Sequence, residues 1–177
     1  MVTKDKIKVL LSAEEIDKKV EELAERINYD FAGERVIIIG VLKGSFMFMS
    51  DLVKKINLQT EIYFLEASSY GAGTQTTGVV KISKDVDRDL AGENVIIVED
   101  IIDTGITMDK VMEILRARGA KTVRLCACLS KPERRKVDID IDYLGFEIPD
   151  EFVVGYGLDV AEKYRNLPYI GVVEISD

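Results

Sequence analysis

The stretch Val95–Met108 reads VIIVEDIIDTGITM. Four apolar residues, Val95 to Val98, have the length and continuity of a strand buried on both faces. They run straight into Glu99 and Asp100, and Asp103, Thr104, Gly105 and Thr107 follow. From Met108 to Arg118, Val111, Met112 and Leu115 recur at helical spacing, and Gly119 suits the C-terminal cap. Strand, polar turn and helix in that order form half of a βαβ unit. The puzzle is the turn, where three carboxylates within five residues repel one another at the end of a buried strand.

Working outward, the same alternation recurs. Ser12 to Asn28 predicts a helix: Ser12 and Glu15 form a capping-box pattern, and Ala13, Ile16, Val20, Leu23 and Ile27 make one apolar stripe. Val36 to Gly40 (VIIIG) predicts a buried strand, and Phe46, Met49, Leu52, Val53 and Ile56 return to helical spacing. Glu61 to Glu66 predicts a strand. Ala67 to Gly78 (ASSYGAGTQTTG) is small, polar and glycine-rich, and is expected to be a long mobile loop. Short strands are expected at Val79–Ser83, Val123–Leu129, Asp142–Leu144, Phe152–Val154 and Tyr169–Ile175. The expected fold is α/β: a mostly parallel sheet with helices on both faces, in one domain spanning residues 1–177. Ligands of such sheets bind beyond the carboxyl ends of the strands. Here those ends carry VLKGS, EDIIDTGIT and SKPERR.

Composition excludes several chemistries. The chain has 177 residues and no histidine, so imidazole catalysis and histidine metal sites are out. Cys126 and Cys128 share one strand face with no second cysteine pair to complete a four-thiolate zinc site, and are expected to be buried and inert. The net charge of −8 argues against a broad nucleic-acid-binding face. No apolar run approaches the roughly 20 residues that span a bilayer. MVTKDKIKVLLSAEE lacks the apolar core of a secretory signal, so a cytoplasmic location is expected.

The turn Asp103-Thr104-Gly105-Ile106-Thr107 offers free backbone N–H groups at a helix start, two hydroxyls, and a glycine able to take a positive φ. By itself it serves equally as a phosphate cradle or as an ordinary capped turn. Glu99 and Asp100 tip the balance, because adjacent carboxylates make sense facing a divalent cation or sugar hydroxyls. A phosphorylated sugar is the better reading. The P-loop pattern GxxxxGK[ST] is absent, and neither GAGTQT nor GYGLDV fits GxGxxG.

With these residues in view, VEDIIDTGIT resembles the phosphoribosyl pyrophosphate signature of the type I phosphoribosyltransferases. With LKGS, SSYG, SKPERR and EFVVGYGLD in that order, the chain is similar to the hypoxanthine-guanine branch, bacterial in its short length. The resemblance implies a core sheet with a small hood built from chain-terminal segments. It implies magnesium as cofactor, with Glu99 and Asp100 beside the ribose hydroxyls and metal. It implies Asp103 at the purine's imidazole edge as general base or acid, and Asp103 to Thr107 around the sugar phosphate. Lys43 and Gly44, with Arg165, would meet the pyrophosphate, in a loop whose Leu42–Lys43 peptide is cis in the family. Lys131 would donate to the purine carbonyl, Phe152 would stack on the base, and the Val153 carbonyl would help read it. Asp159 would lie near the base and reach a second magnesium. Ser69 and Tyr70 would belong to a lid at about residues 67–78. The implied substrates are phosphoribosyl pyrophosphate with hypoxanthine or guanine, and the products IMP or GMP and pyrophosphate. A homodimer or homotetramer is usual in the family. Ile106 departs from members with lysine after Asp-Thr-Gly, so it is expected to contribute main chain only. Two rivals stand beside this reading. One is a superfamily enzyme for xanthine, adenine or a pyrimidine, the first left open by Lys131. The other is a nucleic-acid-binding regulator, disfavoured by the charge.

Overall fold

In chain order the described residues, 7–69 and 79–173 of a computed structural model, form twelve elements. These are β1 (Ile7–Leu11), α1 (Ala13–Asp30), β2 (Arg35–Val41), α2 (Phe46–Lys54), β3 (Gln59–Ser69), β4 (Val80–Lys84), β5 (Asn94–Ile102), α3 (Ile106–Ala117), β6 (Thr122–Ser130), β7 (Tyr143–Glu147), β8 (Val153–Val154) and β9 (Ile170–Val173). A short 3-10 turn, Pro132–Arg134, follows β6. Six strands make one sheet in the order β4-β3-β2-β5-β6-β7. All neighbours are parallel except β3 and β4.

The alternation of side chains explains the layers. In β2 and β5, Ile38, Ile96 and Val98 meet Ile16, Val20, Leu23 and Ile27 of α1 and Leu52 of α2 on one face. Ile37, Ile39, Val95 and Ile97 meet Val111, Met112 and Leu115 of α3 on the other. These strand residues have no exposed surface, as expected of a parallel sheet covered on both sides. The capping box forms: Glu15 N–H donates to Ser12 Oγ at 3.2 Å, and Ser12 N–H donates to Glu15 Oε2 at 2.8 Å. Cys126 and Cys128 are unpaired and buried in the α1 layer. Burial pushes both thiols well above their usual range, which keeps them inert.

The expected hood is present as a three-stranded antiparallel sheet, β1-β9-β8, pairing Ile7 with Val173 and Val153 with Val172. β1 itself was not foreseen. Its five residues, IKVLL, become a strand only against β9 from the far end of the chain.

Three boundaries differ from expectation by more than about two residues, the usual uncertainty of an element end. Ala67 to Ser69 belong to β3 and not to a loop: Ala67 faces Ile82, Ser68 faces Lys81 and Ser69 faces Val80. Cross-strand pairing overrides their weak β-propensity. The remainder of the expected lid, Tyr70 to Gly78, lies outside the described residues. β5 runs on to Ile102, with Glu99 opposite Ala127 and Ile101 opposite Leu129. The acidic pair is therefore inside the ladder and not beyond the strand end. β7 is shifted towards Glu147, because Phe146 and Glu147 pair with Leu129 and Ser130. No helix of the described residues is long and apolar enough to cross a membrane.

Candidate active site

The carboxyl ends of β2, β5 and β6 converge, and the hood stands over them. A cleft of about 230 Å³ opens there, lined by Ala67, Glu99, Asp103, Thr104, Gly105 and Thr107 among others.

The candidate anion cradle lies at the start of α3. Gly105 is its N-cap with φ +82°, a left-handed conformation that a side chain would resist. A Cβ there would also press on Val137 and Ile139. The first-turn amides have no intrahelical acceptor, and the helix dipole adds positive potential. Thr104 Oγ1 accepts weakly from Ile106 N–H at 3.4 Å. Ile106 takes part in this turn through its amide.

Glu99 and Asp100 form a half-buried acidic pair. Asp100 N–H donates to Glu99 Oε1 at 2.9 Å, and Ile101 N–H donates to Asp100 Oδ1 at 2.7 Å. Burial first, and then the Asp100 charge, push the Glu99 carboxyl well above its usual range. Burial also raises Asp100, with some relief from the positive charge of Arg165. Gly44 lies so close that a Cβ would fall on Asp100 Oδ2. The loop carrying Lys43 and Gly44 can approach this carboxylate only because residue 44 has no side chain. The preceding Leu42–Lys43 peptide is cis.

The hood supplies cations. Arg165 Nη1 donates to the Gly157 carbonyl at 2.8 Å, and its Nη2 pairs with Asp159 Oδ1 at 3.0 Å and with Glu162 Oε2 at 3.3 Å. Its buried Nε has no hydrogen-bond partner. Lys43 Nζ reaches the same Glu162 carboxylate at 3.2 Å. Two cations from separate elements thus share one carboxylate, as they would share a phosphate.

On the opposite side, Lys131 is 11% exposed, with Nζ 3.5 Å from Asp150 Oδ1. Phe152 leaves 47% of its surface open, so it is not a core aromatic. Val153 is buried in β8 beside it. Ser69 ends β3 and is exposed.

Asp159 is not brought together with the acidic pair. Its Oδ1 is held by Arg165, and its Oδ2 accepts from Glu162 N–H at 2.7 Å. Among the described residues no group of three potential metal ligands forms. The Glu99–Asp100 pair still suits magnesium, which is commonly held by one or two carboxylates with water and substrate phosphates completing its shell.

The sequence reading passed over Arg134 and Asp150. Arg134 Nε stands 2.6 Å from Asp103 Oδ1, and its Nη1 lies 3.4 Å from Asp150 Oδ2. The visible signal was the basic turn SKPERR; which arginine faces Asp103 depends on the turn's three-dimensional path.

A mostly parallel sheet with a glycine-opened helix start and an acidic pair at its carboxyl edge, under a cationic hood, defines a phosphoribosyl-transfer architecture. The chain belongs to the phosphoribosyl transferase family: the family profile described as "Phosphoribosyl transferase domain" matches residues 7–161. It is 48% identical over 176 residues to the hypoxanthine phosphoribosyltransferase of Salmonella typhimurium, covering 98% of this chain and 99% of that one. It is 49% identical over 174 residues to the hypoxanthine-guanine phosphoribosyltransferase of Bacillus subtilis, covering 98% and 97%. The crystal structure of a Bacillus anthracis hypoxanthine-guanine phosphoribosyltransferase superposes with a TM-score of 0.92 at 49% identity, covering 98% and 100%. A Staphylococcus aureus hypoxanthine phosphoribosyltransferase gives 0.93 at 45%, covering 96% and 93%.

Proposed function

We propose that this chain transfers the phosphoribosyl group of phosphoribosyl pyrophosphate to hypoxanthine or guanine, giving IMP or GMP and pyrophosphate. The observation that carries this reading is the place of Asp103. It stands between an acidic pair suited to ribose and metal and a helix-start cradle suited to the sugar phosphate, in one cleft. The close relatives named for this reaction support it.

The reaction breaks the bond between the anomeric carbon and pyrophosphate and forms one from that carbon to a purine ring nitrogen. The Thr104–Thr107 turn fixes the sugar phosphate, so the anomeric carbon is held at one position. Glu99 and Asp100 orient the ribose hydroxyls. Bound magnesium would supply electrostatic stabilisation of the departing pyrophosphate, and the Glu99–Asp100 pair is the part of this chain that would hold it. Lys43, the Gly44 region and Arg165 cluster where that leaving group would sit, and Glu162 yields its place to it. Asp103 takes the proton lost by the purine as its nucleophilic nitrogen bonds to carbon. Lys131 donates to the six-position carbonyl, which favours hypoxanthine and guanine over adenine. Phe152 stacks on the ring, and a homodimer or homotetramer is the working form. A cytoplasmic setting belongs to the same proposal.

The test is nucleotide formation from magnesium, phosphoribosyl pyrophosphate and each base in turn. Hypoxanthine or guanine should give product; none with either defeats the proposal. Asp103→Asn should lower turnover by roughly 10²–10⁴-fold, the range of an acid–base group, with substrate binding much less changed.

A further inference from the structure

Arg134 has no part in the mechanism above, yet the backbone delivers it to Asp103. Lys131 N–H donates to the Ile102 carbonyl at 2.9 Å, and Lys136 N–H donates to the Thr104 carbonyl at 2.9 Å. The segment 131–136 is therefore clipped to both chain neighbours of Asp103. Between the clips, Pro132 opens the 3-10 turn, and Arg134 N–H donates back to the Lys131 carbonyl at 3.1 Å. The turn sets Arg134 Nε 2.6 Å from Asp103 Oδ1. That oxygen is closed to solvent and has no well-aligned hydrogen bond, while the Asp103 side chain as a whole stays 43% exposed. Asp150, from the loop before β8, holds the other end of the guanidinium at 3.4 Å.

We propose that Arg134 is a positioning residue that commits one oxygen of Asp103 and so turns the rest of the carboxyl towards the purine. The inference rests on Asp103 being the group that accepts the purine's proton. A planar, forked guanidinium can meet Asp103 through Nε and Asp150 through Nη1 at once; an ammonium is a single point charge and cannot reproduce that geometry. Both partners are about half exposed, so the pair adds little to folding. Its effect falls on the reaction.

The test is a double-mutant cycle on the full chain. Arg134→Gln should lower kcat by about 10-fold, the scale of loss from a slightly misplaced reacting group. The KM for phosphoribosyl pyrophosphate and the unfolding temperature should hold steady. Arg134→Lys should recover only part of the loss. In an Asp103→Asn background, Arg134→Gln should cost nothing further, because the residue acts through that carboxylate. Wild-type kcat in Arg134→Gln overturns the proposal, and so does an undiminished loss in the Asp103→Asn background. Near-normal turnover of Asp103→Asn alone defeats the assignment of the base itself, a separate and distinguishable failure.

Discussion

At neutral pH the Glu99 carboxyl opposes folding. Its carboxyl is buried beside Asp100, so the folded state retains a proton that the unfolded chain releases. A carboxyl raised on folding imposes no penalty below its ordinary value of 4.5 and a growing one as pH climbs through the interval above it. Glu99→Gln should therefore raise the unfolding temperature of the ligand-free protein at pH 7, by about 2–4 °C for each kcal/mol relieved. The gain should vanish near pH 4, and activity should fall at neutral pH. Thermal scans at the two pH values check this. A variant less stable than wild type at pH 7 would show that burial and repulsion are not what shifts the group. In the proposed reaction, a bound cation and sugar would neutralise this destabilising charge.

Among the elements, one hood side chain makes a hydrogen bond to α2. Tyr156, 5% exposed and at φ +50°, donates its hydroxyl to Asp51 Oδ2 at 2.7 Å. The adjoining Gly157 seats its backbone against the Gly44 carbonyl and accepts from Arg165. Tyr156 thereby ties the Lys43–Gly44 loop, the hood arginine and a core helix together. Tyr156→Phe removes only the hydroxyl. It should cost about 1 kcal/mol, the net worth of one such hydrogen bond. It should also raise the KM for phosphoribosyl pyrophosphate more than that for the purine. Calorimetry and steady-state kinetics read the two effects, and an unchanged unfolding temperature would mean the tie contributes nothing.

For the whole molecule, the uncovered apolar surface is the informative feature. Phe48 and Met49 of the Phe46–Met49 run are core residues, at 1% and 2% exposure. Phe46, at 44%, is not, and neither are Ile62 and Phe64 on β3, at 46% and 39%. Ile62 and Phe64 alternate onto one sheet face, and Phe64 lies with Met49 over Gly40, on the α2 side. Neighbouring large apolar groups left open in this way are typical of a subunit contact. Sedimentation should find a species of two or four 19.8 kDa chains. Phe64→Glu should shift it towards the monomer. A wild-type protein that sediments as a monomer at micromolar concentration would refute the assembly.

What the amino-acid order determined by itself is what depends on near neighbours. The 3.6-residue stripes of α1 and α3, the Ser12–Glu15 capping box and the unbroken apolar runs of β2 and β5 were legible because each is a local pattern. The helix-start turn at Gly105, with its positive φ, was legible for the same reason, its glycine and threonines lying close together in sequence. Tertiary structure decided the rest. β1 is a strand only because β9 lies beside it, and Ala67 to Ser69 are strand only because β4 pairs with them. Asp159 is paired with Arg165 through the fold of the hood, a partner six residues away that no motif names. Arg134, and not Arg135, meets Asp103 because two backbone hydrogen bonds fix the path of a turn. Such contacts join residues far apart in sequence, and no pattern within a short window encodes which of several similar side chains arrives.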